Sequence, residues 1–227
     1  GHALLPGADS GLFLHDVLER LDLDELRRAH ARGASASEWA ATPSVRELFL
    51  AAARQRRIEP SRALAAAELV HRTMTSPLRT VGELVAERPP LLEARLAREV
   101  EFLFPLPRRA STDPETSADP ETVGARGFVK GFIDVVARYG DELWVLDYKS
   151  DLLSEPTEAA GRQRVEEKYL LQARLYAVAA QRLVPPGCRL AGLAFLFVRH
   201  QLAIGLATPP SSLAAWHGWL SALEVSP

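Results

Sequence analysis

Asp134, Asp147 and Lys149 are three charges set in two of the most apolar stretches of the chain, within GFIDVVARYGDELWVLDYKS at 131–150. Alternate residues of a strand share a face, so Asp147 and Lys149 point one way and Tyr148 the other. A tight turn at 139–142 pairs 138 with 143, and following the ladder back pairs 136 with 145 and 134 with 147. Asp134 then faces Asp147 with Cβ atoms roughly 4.5–5.5 Å apart. Carboxylates that close repel, strongly when partly buried, so something positive must sit between them. Lys149 is one candidate. A divalent cation solves the problem better, because two acids and one lysine remain net negative, and oxygen-rich open sites suit Mg²⁺ or Mn²⁺. A metal held there grips a phosphodiester, lowers the pKa of a bound water and stabilises charge on the phosphorus oxygens. Lys149 would orient that water or help deprotonate it. The plain structural reading is an ion-pair cluster on a half-solvated sheet face. The flanks GFI, VV and LWVL are apolar on both faces and point to a covered sheet. On the residues alone the two readings stand level.

Those residues need a sheet and helices to hold them. The periodicity predicts a helix over 10–31, capped by Asp9 or Ser10, and a loop over 33–37. Further helices are predicted over 44–57, 61–75 and 79–87, the last ended by Pro89-Pro90. LAREVEFLFPL, 96–106, alternates and reads as a strand. The Pro-, Ser- and Thr-rich stretch 108–125 repeats DPET and reads as a mobile loop. After the hairpin come a long helix over 157–184, a strand at 192–200, a short strand in LAIGLAT and a closing helix over 211–223. The predicted fold is α/β, a small mixed sheet flanked by helices. We divide it into an N-terminal helical region, 1–95, and a core, 96–227, within one compact unit overall.

Composition sets limits. The 227 residues carry 27 basic and 29 acidic side chains, for a net charge of −2, and 47% are hydrophobic. Binding nucleic acid by bulk charge alone is disfavoured, whereas meeting phosphate through a metal or a local patch is not. The single cysteine, Cys188, excludes an intramolecular disulfide and a multi-cysteine zinc or iron–sulfur site within the chain. A reducing cytoplasm is the expected location. There is no GxxxxGK[ST] phosphate loop and no apolar run of membrane-spanning length.

The ordered elements Gly131-x-x-Asp134, Asp147-Tyr148-Lys149 and Gln172-x-x-x-Tyr176 resemble the PD-(D/E)xK nuclease superfamily, which has a restriction-endonuclease-like core. GFVKGFIDVVARYGDELWVLDYKSD, YLLQARLYAVAAQRL, the opening GLFLHDVLERLD and the late GLAFLFVRH resemble the C-terminal nuclease domain of RecB-type helicase–nucleases. The resemblance is weakest over 30–95 and 108–125. It implies that His15, Asp134 and Asp147 ligate a metal with the Tyr148 carbonyl, that Lys149 is the catalytic lysine, and that Glu99 contributes from the preceding strand, with Glu101 on the same strand face. Gln172 and Tyr176, one turn apart, would buttress the site or touch DNA. The resemblance further implies hydrolysis of DNA dependent on Mg²⁺, with Mn²⁺ an alternative and Ca²⁺ binding without turnover. It implies a role in double-strand-break repair and recombination. Implied partners are RecC-like and RecD-like subunits, the helicase part of the same chain, and RecA.

Other readings remain open. The domain could be an idle docking module for RecA or sister subunits, or another nuclease of the superfamily; the lone cysteine argues against an iron–sulfur type. His71 reads as structural, Arg54, Arg56 and Arg57 as a solvated helix face, and Arg199 and His200 as solvated strand-end groups. Trp39, Trp144, Trp216 and Trp219 read as core or docking residues, the last two as a possible partner surface.

Overall fold

The N-terminal third folds as short helices, two opened by side-chain caps at Asp22 and Ser35 and two by Pro43 and Pro60. A computed structural model describes Leu4 and residues 7–106 and 127–222, so the expected loop at 108–125 lies outside the described residues. The helix expected over 10–31 is two, α1 (Ala8–Arg20) and α2 (Leu23–Ala31), and α1 starts ahead of the expected caps Asp9 and Ser10, after Gly7 and with no side-chain cap. Asp22 is the cause: its carboxylate accepts the Asp24 and Glu25 amides at 2.9 and 3.0 Å and starts a new helix. The expected loop at 33–37 gives way to α3 (Ala36–Ala40), opened by a capping box in which Ser35 and Glu38 satisfy each other's backbone amides. Next come α4 (Pro43–Gln55), α5 (Pro60–Ala65) and α6 (Ala67–Thr75).

The helix expected over 79–87 is a hairpin instead, β1 (Pro77–Gly82) and β2 (Ala86–Pro90). The Thr80 hydroxyl donates to the Leu84 carbonyl at 2.6 Å and accepts the Ala86 amide at 3.0 Å, closing the turn across Gly82, whose φ is 100°. Pro89 and Pro90 are tolerated because β2 is an edge strand.

The remaining elements are β3 (Arg95–Leu106), β4 (Gly127–Tyr139), β5 (Glu142–Lys149), α7 (Glu158–Lys168), α8 (Leu170–Leu183), β6 (Arg189–Phe197), β7 (Leu202–Leu206) and α9 (Pro210–Ala222). The expected helix over 157–184 breaks at Tyr169, with φ −119° and ψ −1°. The seven strands form one mixed sheet in the order β2-β1-β7-β6-β5-β4-β3. β5 and β6 are parallel, joined through α7 and α8 as a parallel crossover requires, and β1 is parallel to β7.

Helices cover both faces. On one, Phe13, Leu14, Trp39 and Phe49 of the N-terminal helices pack with Val135, Ala137, Leu146 and Tyr148. On the other, Ala173, Tyr176 and Val178 of α8 pack with Ile133, Val145, Phe195 and Phe197. Trp216 and Trp219 of α9 pack half-buried against this second core rather than forming an exposed surface.

The β4–β5 hairpin has the expected register: Tyr139↔Glu142, Arg138↔Leu143 and Val136↔Val145. Gly140 supplies the left-handed residue of the turn, with φ 63°. The ladder ends at Val135↔Leu146, one step before Asp134 and Asp147, so the expected pairing of Asp134 directly across from Asp147 is not made. At that step the alternation inverts. Ile133 faces the α8 layer and Val135 the α1 layer, although two residues apart should share a face. β3 breaks opposite: Arg98↔Val135 and Val100↔Ile133 pair, while Glu99 between them takes φ 50°.

Candidate active site

The phase change frees the Asp134 side chain from either face, and it takes over the work of the missing ladder bond. Its Oδ2 accepts the Tyr148 amide at 2.8 Å. His15 of α1 approaches the same oxygen, with Nδ1 at 3.3 Å. α1 comes this close because Gly11 lies against the end of β5; a Cβ there would sit 2.7 Å from the Ser150 hydroxyl. His15, one helical turn further on, shares that face. The Tyr148 ring points into the α1 layer, with its hydroxyl 3.9 Å from Met74 Sδ and His15 edge-on to it at 6.4 Å.

Asp147 points to the other layer and is 1% exposed. Its Oδ1 accepts from Gln172 Nε2 of α8 at 2.9 Å, and Gln172 Nε2 also donates to the Tyr176 hydroxyl at 2.7 Å. Gln172 Oε1 accepts from Lys149 Nζ at 2.9 Å. One amide thus bridges the acid and the lysine. Lys149 Nζ also lies 2.5 Å from Asp147 Oδ2, a close ion pair on the same strand. The Phe102 ring braces Tyr176 edge-on at 6.0 Å. It fits because position 131 is glycine: a Cβ there would meet the ring at 2.5 Å. The first residue of the Gly-x-x-Asp element is therefore a packing requirement.

The electrostatics are those of acids short of counter-charge. Burial first, and then the charge of Asp147, push the Asp134 carboxyl up to about 8; the Tyr148 amide and Lys149 oppose the shift. Burial raises Asp147 as well, against the pull of Lys149. Glu99 is raised by burial and by Glu19 and Asp147, with His15 opposing, which puts it in the field of the site. Glu101 is instead paired with Lys130 at 2.6 Å. Burial also raises Tyr176 and Tyr148, which stay protonated.

The expected residues gather at one place, but not as a ready ligand cage. Among the described residues, no group of three or more His, Cys, Asp and Glu side chains is arranged to hold a metal ion. His15 touches Asp134, whereas Asp147 turns to Lys149 and Gln172. The donor chemistry nonetheless fits a divalent cation. Two buried carboxylates, both raised, share one ammonium, and His15 adds a nitrogen donor beside Asp134.

Sequence reasoning missed Tyr169 and Phe195. Lys149 Nζ lies 4.0 Å from the centre of the Tyr169 ring and 5.4 Å from that of Phe195. The Tyr169 hydroxyl donates to Asp151 at 2.6 Å, and Arg164 holds the other Asp151 oxygen at 3.1 Å. Arg199 was expected in solvent and is buried. It donates to the Ser150 carbonyl and to the Leu4 carbonyl, each at 2.6 Å. His200 accepts the Leu153 amide at 2.9 Å. His71 packs against Trp39, with 5.7 Å between the ring centres.

Over 205 residues the chain is 30% identical to the RecBCD enzyme subunit RecB of Escherichia coli, a match covering 80% of this chain and 15% of that protein. Over 111 residues it is 32% identical to the RecBCD enzyme subunit RecB of Mycolicibacterium smegmatis, covering 41% of this chain and 10% of that one. The chain therefore spans a small part of the length of these relatives. Residues 2–224 match the family described as the PD-(D/E)XK nuclease superfamily. With that match across nearly the whole sequence, and the paired acids and lysine at one strand end, the chain belongs to the PD-(D/E)XK nuclease superfamily.

Proposed function

We propose that this chain is the nuclease domain of a RecB-type helicase–nuclease and hydrolyses phosphodiester bonds at DNA ends with Mg²⁺. The observation that carries the reading is the bridge from Asp147 through Gln172 to Lys149, beside an Asp134 that has left the ladder. In this reading His15, Asp134, Asp147 and the Tyr148 carbonyl hold the metal, and Glu99 contributes from β3. A divalent cation bound there supplies the charge that the buried carboxylates lack, polarises a phosphate oxygen and lowers the pKa of a water.

The chain's own groups do the rest. Gln172 fixes the rotamers of Asp147 and Lys149 together, so neither pays its ordering cost separately during the reaction. The Lys149 ammonium, held on the Tyr169 ring, donates to the attacking water or to a phosphate oxygen and offsets the charge that builds there. Tyr176 remains a neutral acceptor for Gln172. On the same reading, the helicase part and RecC-like and RecD-like subunits deliver the strand at double-strand breaks, and RecA is a further contact.

Asp147→Asn and Lys149→Ala test this. Each is expected to lower Mg²⁺-dependent cleavage of linear DNA by about 100-fold or more, with the circular dichroism spectrum retained. Undiminished cleavage by both variants refutes the assignment. A folded wild-type chain that is inactive with Mg²⁺ and Mn²⁺ but captures sister subunits favours a docking module.

A further inference from the structure

β3 and β4 run on past the end of β5 as a two-stranded ribbon. Their pairing continues from Val100↔Ile133 to Leu106↔Gly127, whereas β4 leaves β5 at Val135↔Leu146. Within the ribbon the alternation is strict. Phe102, Phe104 and Ile133 are buried in the α8-side core. The opposite face shows Leu103, Phe128 and Phe132, which are 61%, 67% and 45% exposed, with Lys130 between the two rings in sequence. Three large apolar side chains on one ribbon do nothing for the core and make a contiguous face that water disfavours. The even-numbered positions of β4 lead along this face to Asp134, which touches His15. At about 3.4 Å per residue, Phe132 is about 7 Å and Phe128 about 20 Å from Asp134 along the strand.

We propose that this face is a stacking platform for single-stranded DNA on its way to the Asp134–Asp147 site, with unpaired bases on Phe132 and Phe128 and Lys130 at the backbone phosphates. The proposal rests on the nuclease reading for the nature of the occupant, and adds the surface and the side chains that hold it. Aromatic rings interleaved with a cation suit strand binding that tolerates any sequence, since every base has a π-face. Lys130 is available for this. Its ammonium lies 5.7 Å from the Phe132 ring and pairs with exposed Glu101, a contact weak enough for a phosphate to replace. Duplex bases are already stacked on one another and have no free face to offer the rings.

The test is fluorescence anisotropy of labelled single-stranded and duplex oligonucleotides with the 227-residue chain, in Ca²⁺ and in chelator, alongside cleavage assays in Mg²⁺. Phe128→Ala and Phe132→Ala remove exposed rings, so folding should be untouched. Each is expected to weaken single-strand binding about fivefold or more, and duplex binding less than twofold, while Phe132→Trp retains affinity. Unchanged single-strand affinity in the double variant overturns the platform and leaves the face to a protein partner. Equal losses on both DNA forms, or no single-strand binding by wild type, overturn it too. In those cases intact wild-type cleavage keeps the nuclease reading alive. Ring-dependent strand binding by a chain that cleaves nothing would instead refute the nuclease reading and keep the platform.

Discussion

Lys149 is held from several sides: by Asp147 on its own strand, by Gln172 of α8, and by the rings of Tyr169 and Phe195. Tyr169 is the informative one, because it breaks the helix expected over 157–184 and lays its ring against the ammonium. It is a positioning residue whose ring and hydroxyl can be separated. Tyr169→Phe keeps the ring and loses only the bond to Asp151, so most activity should survive. Tyr169→Leu removes a cation–π contact worth about 0.5–2 kcal/mol and should lower kcat about 2- to 30-fold with KM little changed. Steady-state kinetics on a linear substrate check this. A KM effect with kcat intact would place Tyr169 in substrate binding instead.

The β4–β5 hairpin is the element that decides whether the two acids meet. One residue inserted between Gly140 and Asp141 shifts the register and turns every later β5 side chain to the other face. Such a variant should lose cleavage about 100-fold or more, whether or not circular dichroism shows a native fold; normal cleavage would show that the turn does not set the site. This register was readable in the sequence, because a tight glycine turn between two apolar runs leaves few alternatives. The strand at 96–106 was readable from its alternation, and that at 192–200, observed as Arg189–Phe197, from its short apolar run. The β1–β2 hairpin was not, since its closure depends on one hydroxyl, that of Thr80, bonded across the turn. Helix breaks at Asp22 and Tyr169 were hidden inside continuous apolar periods. Nor does any period foretell the inversion at Glu99 and Asp134, which depends on a residue at positive φ. Asp134, Asp147 and Lys149 were legible by type and spacing, whereas Gln172 and Tyr176 came only from the family resemblance. The ring under Lys149 was not, because its neighbours come from elements distant in sequence.

At the scale of the molecule, the site joins two helical layers through the sheet, His15 reaching it from α1 and Gln172 from α8. Its buried acid should therefore be felt in global stability. Between the ordinary value of 3.8 and about 8, folded Asp134 holds a proton that the unfolded chain releases. Stability then falls as pH rises through that window and levels off above it. In chelator, the melting temperature of wild type relative to Asp134→Asn should decline from pH 5 to 8.5, and Ca²⁺ should restore wild type most at the upper end. A relative melting temperature that climbs over this range would refute a protonated Asp134. The strand order carries a consequence for how the protein is made. β1, among the first strands synthesised, pairs with β7, the last, and Arg199 anchors the Leu4 carbonyl and the Ser150 carbonyl next to Lys149. Contacts so distant in sequence close late. A ribosome that has released residues up to Lys149 has delivered both aspartates and the lysine, but neither β6, which pairs with β5, nor α8, which carries Gln172. On the proposed nuclease reading, the site is therefore completed only once β6 and β7 have emerged.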